Sequence, residues 1–189
     1  MPYTVMKLQL ALLFTARFIQ KELEELALKA QTDTPEGLAE LLQAVTVVLS
    51  RSPEYWRYGL WEVHRAQSLD EAEVLFREVV AGERAKLSQE TLVNVEGRIQ
   101  RRALKESDEE ALKEAGGFIV VTVIVAVTRR VFDTIPKPTQ EDIQRILKKL
   151  GGIIAPQLLG LEVIWSPEDP EDALSEEELL LEYTNLNLL

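Results

Sequence analysis

The sequence predicts an α+β fold: a small sheet of about three strands covered by helices, with an N-terminal helical hairpin. Three observations predict it. Phe118 to Val127 holds eight β-branched residues in ten, which favours a strand. Tyr55 to Ala66 is rich in aromatic and β-branched residues, as a second strand would be. Between and around them, apolar side chains recur at helical spacing behind N-capping signatures.

In chain order, Leu8, Leu12, Ile19, Leu23, Leu26 and Ala30 predict one long amphipathic helix over residues 6–30, apolar nearly all round in its first half and so buried on more than one side. Thr34-Pro35-Glu36 supplies an N-cap, a proline at the first helical position and an early acid, opening a second helix to about Leu49. Pro53 ends this hairpin. After the strand at 55–66, Ser68-Leu69-Asp70-Glu71 has capping-box spacing and opens a helix weakened at Gly82. Glu83 to Asn94 shows no clear period. Ser107-Asp108-Glu109-Glu110 starts a short helix that Gly116-Gly117 closes.

The run at 118–127 lacks alternation, so it reads as the central strand, buried on both faces. Thr139-Gln140-Glu141-Asp142 caps a helix whose inward face is Ile143, Ile146, Leu147 and Leu150, stopped by Gly151-Gly152. A third strand is expected from Leu158 to Trp165, joined to the second by a parallel crossover or by antiparallel pairing. Ser175-Glu176-Glu177-Glu178 is a capping box for a final helix. The expected organisation is one domain over 1–189: a helical hairpin at 1–50, an α+β core at 55–166 and an acidic C-terminal segment at 167–189.

Charge and composition remove several classes of function. The 189 residues carry Lys+Arg 21 against Asp+Glu 32, a net charge of -11. A dedicated nucleic-acid binder needs a dense basic surface instead. The absence of cysteine excludes thiolate metal sites, iron–sulfur ligation and cysteine nucleophiles. No run of ~18–20 apolar residues predicts a membrane span, and the start lacks the pattern of a secretory signal. The acidity is local: no Lys, Arg or His follows Lys149, so of the total of -11 the first 149 residues carry only -2.

Each chemical candidate has a plainer alternative. His64 lies two residues from Glu62 in a predicted strand, on the same face; the two could form an acid/base pair, or His64 could be a solvated rim residue. Asp169, Glu171, Asp172, Glu176 and Glu177 could gather oxygen ligands for Ca²⁺ or Mg²⁺, but they match no calcium-loop spacing, and a solvated acidic edge explains them. Arg98, Arg101, Arg102 and Lys105 could meet a phosphate or anionic headgroup, or pair with Glu106, Glu109 and Glu110. Trp56, Trp61 and Trp165 read as core or groove residues. No phosphate-binding glycine loop, nucleophile elbow or zinc-protease helix is present. No cofactor is expected.

Several stretches together resemble a family of cyanobacterial and chloroplast proteins known as domain of unknown function 1517. They include Thr34-Pro35-Glu36-Gly37-Leu38, Arg51-Ser52-Pro53-Glu54-Tyr55-Trp56, the block from Glu83 to Asn94, and Leu158 to Pro167 with its Glu162-Val163-Ile164-Trp165-Ser166-Pro167 segment. The resemblance implies an origin in an oxygenic phototroph, a cytoplasmic or thylakoid-associated location, and, in many members, membrane association through a segment absent from this chain. It supplies no catalytic residues.

The function expected is therefore a non-enzymatic interaction or regulatory domain with a protein partner, homo-oligomers remaining open. Its candidate contact surface is Glu83, Arg84, Lys86, Ser88, Glu90, Thr91 and Asn94, a block too polar for simple core packing. The same block would equally serve as an internal hydrogen-bonded loop bracing the sheet. The competing expectation is a small-ligand protein or enzyme with a pocket near Trp56, Trp61 and His64.

Overall fold

The computed structural model describes residues 2–102, 117–129, 132–169 and 171–189, with the side chains of all but 88–102. The elements run β1 (Tyr3–Leu13), α1 (Arg17–Lys29), α2 (Pro35–Ser50), β2 (Trp56–Ala66), α3 (Leu69–Arg102), β3 (Phe118–Thr128), α4 (Gln140–Gly151), β4 (Leu158–Ser166), α5 (Glu176–Glu182) and β5 (Asn187–Leu188). The fold is α+β, but the sheet has five strands rather than three, in the order β4-β3-β1-β2-β5. Every neighbouring pair is antiparallel, so the parallel crossover does not occur.

The two additional strands escape for different reasons. β5 is two residues long and carries no pattern. β1 occupies the first half of the helix expected over 6–30, and it is β1, not β3, that lies at the centre of the sheet. Its leucines are good helix formers, yet pairing along both edges overrides that local preference. Thr4 to Leu12 is buried apart from the half-buried Lys7, so no polar stripe marks the two-residue period. Double-sided burial was correctly expected of this stretch; its backbone form was not. The hairpin therefore consists of α1 and α2 alone, residues 17–50.

The two faces of the sheet are covered separately. Met6, Leu8, Leu10 and Leu12 join Val121, Val123, Val125, Trp56 and Trp61 on the first face, where α1, α2 and α4 dock Ile19, Leu23, Leu42, Val45, Ile143 and Leu147. The helical caps act as predicted. Thr34 accepts from the Gly37 amide, and Thr139 and Asp142 form a complete capping box. The turn between α1 and α2 requires glycine at 37, because a Cβ there would lie 1.8 Å from the Gln31 carbonyl oxygen.

The second face receives α3 and the C-terminal segment. Val5, Ile124, Ala126 and Ile164 meet Leu87, Leu75, Phe76 and Val79 of α3. Ala11, Phe118 and Val120 meet Leu174, Leu179 and Tyr183. The helix from Leu69 continues through Gly82 without interruption, the glycine facing open space. The helix expected at 107–117 lies outside the described residues.

Candidate functional site

Polar chemistry concentrates where α3 crosses the second face. Strand alternation aims Lys7 and Gln9 of β1 toward α3, beside Thr122 of β3 and Glu62 of β2. Glu83 descends from α3 into this row and is only 4% exposed. Its Oε1 accepts from Lys7 Nζ at 3.0 Å, its Oε2 accepts from Gln9 Nε2 at 2.8 Å, and Lys86 Nζ reaches both oxygens at 3.0 and 3.2 Å. Gln9 Nε2 also donates to Thr122 Oγ1 at 3.0 Å, and Lys7 Nζ lies 3.1 Å from Glu62 Oε2.

Two ammonium groups thus face two carboxylates, and the Gln9 amide adds hydrogen bonds to Glu83 and Thr122. Such a network is tolerated inside a protein because no charge stands alone. It defines the angle and register at which α3 sits. Around it, Arg84 pairs with Glu162 of β4, and Lys86 Nζ stands 4.7 Å from the ring centroid of Tyr183. Tyr58 Oη donates to Glu176 Oε1 at 3.1 Å; burial, and then Glu176 itself, push its hydroxyl above its ordinary pKa.

Of the predicted contact block, Glu83, Arg84 and Lys86 are brought together on the sheet side or flank of α3. The segment is helix rather than loop. Ser88, Glu90, Thr91 and Asn94 follow along the same helix, as do Arg98, Arg101 and Arg102; these side chains, and Lys105, lie outside the described residues. Lys7, Gln9 and Thr122 were missed by sequence reasoning, although three polar side chains within otherwise apolar strands are a signal in retrospect.

The strand sends Trp56 and Trp61 to one face of the sheet and His64 to the other. The two tryptophans face the first side, each 3% exposed, donating to the Leu49 carbonyl at 3.2 Å and the Asp133 carbonyl at 2.8 Å. His64 opens onto the opposite side, 3.5 Å from Glu62, as their shared strand parity requires. Among the described residues, no cluster of His, Asp and Glu could hold a metal ion, and no helix is long and apolar enough to cross a membrane.

Fold and site together define a helix-clad antiparallel domain whose buried charges brace one helix against the sheet. The chain belongs to the family described as protein of unknown function (DUF1517), whose model matches residues 2–189. It is similar to Protein FLAP1 homolog A of Synechocystis sp., 34% identical over 98% of this chain and 56% of that protein. It is likewise similar to FLUCTUATING-LIGHT-ACCLIMATION protein 1, chloroplastic, of Arabidopsis thaliana, 36% identical over 98% of this chain and 46% of that protein. The chain spans about half the length of these curated relatives. No solved structure matches it.

Proposed function

We propose that this chain is a non-enzymatic interaction or regulatory domain of an oxygenic phototroph, acting in light acclimation in association with the thylakoid, with α3 presenting its contact surface. The observation that carries this reading is the anchoring of α3 to the sheet by the buried Glu83 network and the Arg84–Glu162 pair. A helix anchored in this way lowers the ordering cost of binding a partner along its length. The light-acclimation name of the chloroplast relative supplies the physiological setting.

The test is complementation under fluctuating light of phototroph cells lacking this protein. A variant with Ser88, Glu90, Thr91 and Asn94 all changed to Ala should accumulate and fold normally yet fail to complement. A photo-crosslinking residue at position 91 should join the wild-type protein to a discrete protein of the soluble or thylakoid fraction. Full complementation by the folded quadruple variant would overturn the reading.

A further inference from the structure

The sheet ends on one side in a strand whose outer edge pairs with no other strand among the described residues. β4 stands at the end of the strand order and bonds only to β3. Its nine residues, Leu-Leu-Gly-Leu-Glu-Val-Ile-Trp-Ser, contain no lysine, arginine or proline. Proteins usually protect such an edge with those residues, with a bulge or with a cover. Here a register shift beside Gly160 interrupts only the first end of β4. The one charged residue, Glu162, points to the second face and is engaged by Arg84. At the opposite side of the sheet, β5 pairs with Tyr58 and Gly59 of β2.

The edge is also recessed. A cavity of about 420 Å³ runs along Val163, Ile164 and Trp165, with Glu24 of α1 on one wall and Arg84 and Leu87 of α3 on the other. Glu168 closes its end. Gln20 of α1 fixes this end by donating to the carbonyl oxygens of Pro167 and Glu168 at 2.9 and 3.3 Å. The result is a slot as well as an edge, with Val163, Ile164 and Trp165 of β4 along it and the exposed carboxylates of Glu24 and Glu168 at its rim.

We propose that this slot binds an extended, basic segment of a partner protein as a sixth strand along β4. Backbone pairing would supply affinity, and alternate side chains would supply specificity, as in other strand-addition complexes. The charge selects the partner. Arg84 and Glu162 compensate one another, which leaves Glu24 and Glu168 to set the sign, just ahead of a C-terminal segment that holds no Lys, Arg or His. A second copy of this chain would set those carboxylates against their equals, which disfavours it. A segment with lysine or arginine on one side and β-branched residues on the other meets both the rim and the apolar residues of β4.

The full chain can be titrated with an eight-residue peptide alternating lysine and valine, read by amide chemical shifts and hydrogen exchange. The expected result is saturable binding with new protection confined to β4. Methylating alternate peptide nitrogens, or replacing lysine by glutamate, should weaken it at least tenfold. The double variant Glu24→Lys/Glu168→Lys, which changes only exposed side chains, should do the same. Equal binding by the methylated peptide, shifts that map away from β4, or protection of the β4 edge by a dimer of the free chain would each overturn the proposal. None of these outcomes depends on the light-acclimation reading, because the assay contains no cells.

Discussion

Glu83 makes two contacts to β1, with Lys7 and Gln9, and a third to Lys86 of its own helix, so its loss should be felt well beyond a surface glutamate. Removing it leaves Lys7 with Glu62 alone and Lys86 without its carboxylate. Glu83→Ala is expected to lower unfolding stability by about 3–5 kcal/mol, measured as a reduced urea midpoint. Because the cost arises from the stranded lysines, the double variant Lys7→Met/Glu83→Leu should be less destabilised than the sum of its single changes. A double-mutant cycle gives that coupling directly; strict additivity would contradict the network. Tyr58 makes a second prediction at this scale. Burial is the first cause of its raised pKa and Glu176 the second. A raised folded pKa contributes stability that is fully present below the unfolded value near ~10, and that contribution is lost as pH rises through the folded value. Tyr58→Phe should therefore flatten the alkaline fall in stability, measured from pH 8 to above 11.

Among the elements, α4 is the one whose start, inward face and stop are all set locally. Its capping box joins Thr139 and Asp142, and Thr139→Ala should cost about 1 kcal/mol in thermal or urea unfolding. The backbone hydrogen bond from Thr139 is the first cause holding the Asp142 carboxyl below its ordinary value; the Thr139 hydroxyl and the charge of Arg145 assist. A depressed folded pKa contributes stability above the unfolded value that is lost as pH falls through the folded one. The difference in stability between wild type and Asp142→Asn should thus be greatest near neutrality and shrink in acid. The α1–α2 turn is the opposite kind of element, fixed by space rather than by a cap. A methyl group at Gly37 collides with backbone, which cannot rotate away as a side chain could. Gly37→Ala should destabilise by about 1–3 kcal/mol or more, with a lowered melting temperature as the readout.

For the whole molecule, the acidic C-terminal segment proves to be part of the core. Leu174, Leu179 and Tyr183 cover Ala11, Phe118 and Val120, and Leu174 exchanges two backbone hydrogen bonds with Phe118, at 2.7 and 2.8 Å. Truncation after Ser166 is expected to expose this patch, lower the melting temperature and raise binding of a hydrophobic dye; an unchanged melting curve would show the segment to be dispensable. The sequence by itself determined what neighbouring residues settle among themselves. The α2, α4 and α5 caps depend on groups a few residues apart, the β-branched run of β3 favours a buried strand, and the separation of charge along the chain is fixed by the order of its residues. The polar block at Glu83, Arg84 and Lys86 was visible too, but not its direction, since Lys7 and Gln9 lie 76 and 74 positions away. Tertiary structure alone decided that residues 3–13 form a strand rather than a helix, that the sheet has five strands, that Trp61 takes the face covered by α2 and α4 and His64 the other, and that β4 is left as an edge. The physical reason is common to all four. Strand pairing and burial are free energies shared between segments remote in sequence, and neither segment carries the answer alone.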